Sequence, residues 1–152
     1  VGAVYFYHLT QRPLEAALPL LLDRSLAQGW RVVVRGATPR RIEMLDRQLW
    51  LGAEDGFLPH GVAGGPHDAD QPVLLTLETD VPNRAACLMG IEGAAIAADE
   101  VGAFERTCIL FDGGDGDALA RARDQWRDLT RAGCKAVYWS EETGAWQKKA
   151  ES

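Results

Sequence analysis

Six residues near the start, Val4-Tyr5-Phe6-Tyr7-His8-Leu9, form an aromatic, β-prone run, and the pattern next to it along the chain constrains the fold more than any other feature. Leu14, Leu18, Leu21, Leu22, Ser25 and Leu26 recur at helical spacing until Gly29 supplies a stop, and residues 31–35 (RVVVR) return to a short apolar run between arginines. A strand, a helix and a second strand in this order are the unit from which parallel sheets are built, because parallel neighbours need a crossover connection.

The same alternation continues. Thr38-Pro39 opens a second helical pattern carrying Ile42, Leu45, Leu49 and Trp50, with proline tolerated at the first helical position, and it is expected to end near Gly52. Residues 52–72 hold five glycines and three prolines with little periodicity, which marks a long surface connection. Three short apolar runs come next, residues 73–78 (VLLTLE), 87–92 (CLMGIE) and 107–111 (TCILF), each bounded by turn residues as buried strands are. Asp115 or Asp117 then caps a helix over residues 118–132 closed by Gly133, and residues 136–139 are strand-like.

These elements predict a three-layer α/β/α fold around a mostly parallel central sheet of about five strands. Residues 1–147 are expected to form one such domain, and residues 148–152 a frayed C-terminal tail. Such folds serve both nucleotide enzymes and pure binding modules, so the fold alone assigns no function.

Charge narrows the choice. The 152 residues carry 16 Lys and Arg against 22 Asp and Glu, a net charge of −6, which opposes direct nucleic-acid binding as the main task and confines any anion site to a local patch. Cys87, Cys108 and Cys134 are odd in number and widely spaced, which suits a reducing cytoplasm. Neither a membrane-length apolar run nor a signal-peptide pattern is evident, so a cytoplasmic location is expected.

Enzyme motifs are weak. Thr10-Gln11-Arg12-Pro13 after the first run lacks the glycines that bring backbone N–H groups to phosphate. Gly113-Gly114-Asp115-Gly116 lies between a strand and a helix, where a nucleotide-binding enzyme would hold phosphate, yet Asp112, Asp115 and Asp117 bring negative charge to that place and favour a capping turn. His60, His67, Asp68 and Asp70 match no tight metal-ligand pattern and read as a solvated loop. Cys87 and Cys108 read as core residues, and no G-x-S-x-G is present. Neither a cofactor nor a metal is expected.

Two constellations remain. The helix over residues 118–132 carries Arg121, Arg123, Arg127 and Arg131, and the last three repeat every four residues and share a face bordered by Trp126. One reading is a solvated helix in which Asp124 and Asp128 pair with the arginines. The other is a site for an acidic peptide ending in an apolar residue, with guanidinium forks for carboxylates and tryptophan for apolar cover. The second constellation is Trp50 with Phe57-Leu58-Pro59-His60, which is either a core flap or an exposed partner patch.

The order of elements, Leu45-Asp46-Arg47-Gln48-Leu49-Trp50 followed by Phe57-Leu58-Pro59-His60, then Gln71-Pro72-Val73, and Arg123-Asp124-Gln125-Trp126-Arg127 before Ala132-Gly133, together resemble the chi subunits of bacterial DNA polymerase III. The resemblance implies an α/β accessory protein of the clamp-loader complex without catalytic activity. It implies a link to single-strand DNA-binding protein through that protein's acidic, Phe-ending C-terminal tail, and contact with nucleic acid mainly through that partner. By position, Arg123, Trp126 and Arg127 match the family's tail-binding residues, here with Trp in place of Tyr and Arg in place of Lys. Trp50 and Phe57 match positions that face the psi subunit. The stretch after Gly133, with Tyr138, Trp139 and Trp146, is longer and more aromatic than in the best-known members.

Overall fold

Residue alternation in the first strand divides the molecule into layers. A computed structural model describes residues 3–10, 12–51, 59–140 and 147–151. Strand β1 (Val4–Leu9) lies inside the sheet, parallel to β6 (Arg106–Asp112) on one side and to β7 (Ala136–Ser140) on the other. Its odd-numbered residues Tyr7 and Leu9 join a core with Leu18, Leu21 and Leu22 of α1 (Leu14–Ala27) and Ile42, Leu45 and Leu49 of α2 (Pro39–Trp50). Its even-numbered Val4 and Phe6 face the other way, into a core with Val101 of α3 (Ala98–Ala103) and Ala122 and Leu129 of α4 (Gly116–Arg131). A strand buried on both faces needs apolar residues at every position, which is why these runs lack a clean polar alternation.

The expected α/β class is what is seen, but the sheet is larger than five strands. Among the described residues it has eight, in the order β3-β4-β2-β5-β6-β1-β7-β8, where β2 is Val32–Arg35, β3 Gly61–Val62, β4 Val73–Thr76, β5 Cys87–Gly90 and β8 Gln147–Glu151. The neighbouring pairs from β3 to β7 are parallel, and β8 alone runs antiparallel, against β7. The expected frayed tail is corrected here, since residues 147–151 form an edge strand with Val137 opposite Glu151 and Tyr138 opposite Ala150. Local propensity pointed to fraying, and pairing with β7 overrides it. The connection over residues 52–72 likewise contains β3, paired to β4, and a short 3₁₀ turn at Asp68–Asp70. Gly52, where α2 was expected to end, lies outside the described residues; the helix closes at Trp50 with Leu51 as its cap.

Candidate functional site

Helix α4 begins where Asp115 caps it. The Asp115 Oδ1 accepts from the backbone N–H groups of Asp117 at 2.9 Å and Ala118 at 3.2 Å, satisfying donors that a helix start leaves open. The helix ends at Gly133, whose φ of 95° is left-handed backbone that a side chain would strain. Between these ends, Ala122 and Leu129 are buried and Trp126 is half-buried against the sheet. That inward stripe at i, i+4 and i+7 turns Arg123, Arg127 and Arg131 to its exposed margin.

A groove of about 690 Å³ runs between this margin and the sheet. Arg123, Trp126 and Arg127, singled out from the sequence, all line it. The Trp126 ring meets Phe6 of β1 edge-on, with centroids 5.3 Å apart, and Tyr138 of β7 at 6.3 Å and 83°. These are the edge-to-face contacts that aromatic quadrupoles favour. His8 and Phe111 complete the wall on the sheet side, stacked at 5.1 Å and 15°. The phenol of Tyr138 hydrogen-bonds His8 Nδ1. Arg127 makes one ion pair on the helix surface, to Asp124 at 3.3 Å, with both side chains more than half exposed (56% and 67%). Such a pair is worth little and yields easily to a competing carboxylate. The groove therefore combines aromatic walls with a cationic rim.

Besides Phe6 and Phe111, sequence reasoning left His8 and Tyr138 unassigned to the site. They lie 130 positions apart and meet only because β1 and β7 are neighbours, with Phe6 opposite Tyr138 in the register. The available signal was the polar His8 in an otherwise apolar strand.

A second concavity, of about 400 Å³, lies at the carboxyl ends of the strands, where open α/β sheets usually hold ligands. Here most of its polar groups are already engaged within the protein. Both oxygens of Glu92 accept from the Thr38 hydroxyl at 3.2 Å, and Oε1 also accepts from the N–H groups of Ala37 and Thr38 at the start of α2. Arg41 donates to Glu15 at 2.7 Å. In the Gly113–Gly116 turn, the Gly114 N–H is taken by Asp112 at 2.8 Å, and the first free donors of α4 are taken by Asp115. The turn serves as a cap, and its carboxylates stand where a phosphate would have to lie. Arg121 belongs to this crevice, not to the groove.

The Trp50 region lies on the other layer, with α2. Trp50 is 53% exposed and Leu51 76%. The Trp50 ring sits 4.3 Å from that of His60. His60, expected in a solvated loop, is buried, with Nε2 3.0 Å from the Asp46 carboxylate. A hydrogen bond to Asp46 is what makes burial of the imidazole tolerable. Phe57, proposed beside Trp50, falls outside the described residues.

His67 is exposed, and Asp68 accepts from the N–H groups of Gly64 and Gly65, so the loop's histidines and carboxylates do not converge. Among the described residues no group of three or more His, Cys, Asp and Glu side chains is placed to hold a metal ion. Cys87 and Cys108 are buried on adjacent strands, as read from the sequence. A hydrogen bond between them and burial hold the Cys108 thiol well above its ordinary range, which keeps it protonated and inert. Among the described residues, no helix is long and apolar enough to cross a membrane.

Fold and groove together define an α/β protein whose open site is an aromatic, arginine-rimmed groove on the flank of a helix. Residues 2–137 match the family described as DNA polymerase III chi subunit, HolC. The chain is also 28% identical over 111 residues, 70% of its own length and 67% of the relative's, to the probable DNA polymerase III subunit chi of Rickettsia prowazekii (strain Madrid E). It belongs to the DNA polymerase III chi subunit family, accessory subunits of a DNA-replicating assembly.

Proposed function

We propose that this chain is a non-catalytic adaptor that links the replicase to single-strand DNA-binding protein by holding that protein's acidic, Phe-ending C-terminal tail in the α4 groove. The observation that carries the reading is the pairing of an aromatic-walled cavity with exposed arginines on a chain of net charge −6. An apolar terminal ring fills the space beside Trp126, and the guanidinium groups of Arg123 and Arg127 receive the carboxylates. Binding is expected at micromolar strength, about −8 kcal/mol, weakening with salt because the rim charges are exposed. Calorimetry at low salt with a synthetic acidic peptide ending in Phe tests it, with Arg123→Ala expected to weaken the titration. The absence of binding by the unmodified protein sinks the proposal.

On the α2 side, the exposed Trp50 supports a separate contact, with the psi subunit or another clamp-loader component, in which Phe57 is expected to share. The two faces lie on opposite layers of the sheet, so one chain can hold both partners at once. Trp50→Ala is expected to abolish co-purification with psi and leave the peptide titration unchanged. The three free cysteines suit work in the cytoplasm.

A further inference from the structure

The second aromatic wall of the groove is supplied by the sheet and is fixed from a distance. Tyr138 stands across from Trp126 at 83° and within 6.1 Å of Phe111. It is the residue immediately beyond the stretch that matches the family, which ends at 137. Its hydroxyl is tied to His8 Nδ1, and the His8 ring lies flat on Phe111. The same imidazole also presses on the turn after β6. A Cβ placed on Gly113 would collide with His8 Nε2 and fall 3.2 Å from the Leu9 carbonyl oxygen, so only glycine leaves room for the imidazole. The glycine turn that could have held a phosphate thus leaves space for a histidine.

Resting on the reading of the groove as a tail site, we infer that Gly113 and His8 are positioning residues for Tyr138, and that Tyr138 is a specificity-determining residue that selects an aromatic over an aliphatic terminal side chain. Two ring walls meeting at a steep angle offer a third ring both an edge and a face, which a branched aliphatic chain cannot use. The arginine rim, by contrast, reads only the carboxylates. Selectivity for the terminal ring therefore depends on the β1 and β7 residues that face Trp126, and attraction for the acidic stretch on the arginines of α4.

The test titrates two synthetic acidic peptides, identical except for a terminal Phe or Leu, against the full chain and its variants. The unmodified protein is expected to prefer the Phe peptide by roughly tenfold, the upper range of an aromatic pair. Tyr138→Leu should bring the two affinities within about twofold of each other while leaving the salt dependence of binding unchanged. Gly113→Ala should lower the preference as well, although residue 113 does not line the groove, and Tyr138→Phe, which keeps the ring but loses the tie to His8, should lower it to a similar, intermediate extent. Melting curves identify any variant that fails to fold, and the remaining variants then decide. An unchanged Phe-to-Leu ratio in Tyr138→Leu or Gly113→Ala, with both peptides still bound, overturns the inference alone. Failure of the unmodified protein to bind either peptide overturns the tail-site reading beneath it.

Discussion

The crevice at the strand ends and the groove beside α4 are concavities of one sheet, yet they have opposite chemistry. In the crevice, most charge is internally matched: Glu92 covers the start of α2, Arg41 meets Glu15, Asp112 closes the turn after β6 and Asp115 the start of α4. An incoming ligand would have to displace contacts the protein already makes with itself, at the cost of leaving buried or half-buried polar groups unmatched. In the groove the polar groups stand at the rim and the walls are rings, so a ligand displaces little beyond water and one exposed ion pair. The usual ligand end of the sheet is structural in this fold, while the open, aromatic concavity lies on a helix flank.

If that division holds, substitutions at the strand ends other than Gly113, which packs on His8 of the groove, alter stability without touching peptide affinity, and substitutions in the groove act mainly on affinity. The largest effect should come from Arg35, the last residue of β2. Its guanidinium is 3% exposed and donates to Glu100 at 2.9 Å and to the carbonyls of Glu78, Thr79 and Ala95. Arg35→Ala strands Glu100 and three carbonyls, and chemical denaturation should show a loss of about 3 kcal/mol with an unchanged dissociation constant at temperatures where the variant is folded. A large change in peptide affinity would break the division.

The reciprocal case is Trp126. It is half-buried, so truncation costs some packing against Phe6, but its main consequence should be loss of the groove's helix-side wall. Trp126→Ala should weaken the acidic peptide by about 2 kcal/mol, roughly thirtyfold, as aromatic anchors at interfaces commonly do. Smaller again is Glu92→Ala, which removes the acceptor for the start of α2 and should lower stability by about 1 kcal/mol, read by thermal or urea unfolding. Its peptide affinity should match that of the unmodified chain.

The residues that revealed the fold from sequence are those whose local pattern and tertiary role agree. Val4–Leu9 reads as a buried strand because both of its faces are apolar, and the α4 stripe reads as a helix because its inward positions keep a period of 3.6. The elements that escaped are held by partners instead of propensity. β3 is two residues long and exists by pairing with β4. The sequence of β8, QKKAE, has little β preference and is kept by β7, its lysines suiting a sheet edge that must not attract further strands. α3 spans six residues, too few to show a period, and is secured when Glu100 accepts the Ala97 N–H at 2.9 Å. In the groove the same distinction applies. The helix residues share a face that spacing predicts, whereas His8 and Tyr138 are brought together by strand order, which spacing within one element cannot convey.

The smallest predicted effect separates a groove waiting for carboxylates from a helix content with its own. Asp124 holds Arg127 at 3.3 Å, three residues apart on an exposed surface. If that pair were the reason for the arginine, removing Asp124 would weaken the helix by a few tenths of a kcal/mol and change nothing else. If Arg127 serves the tail, Asp124 is a competitor for the guanidinium and a like charge to an acidic peptide. Asp124→Asn should then tighten peptide binding about twofold at low salt, with the gain vanishing as ionic strength rises, because both effects act between exposed charges within a Debye length. Calorimetric titrations at two salt concentrations read both the sign and its salt dependence. Weaker binding by Asp124→Asn would return Arg127 to the surface of an ordinary helix and leave Arg123 and Trp126 to hold the tail.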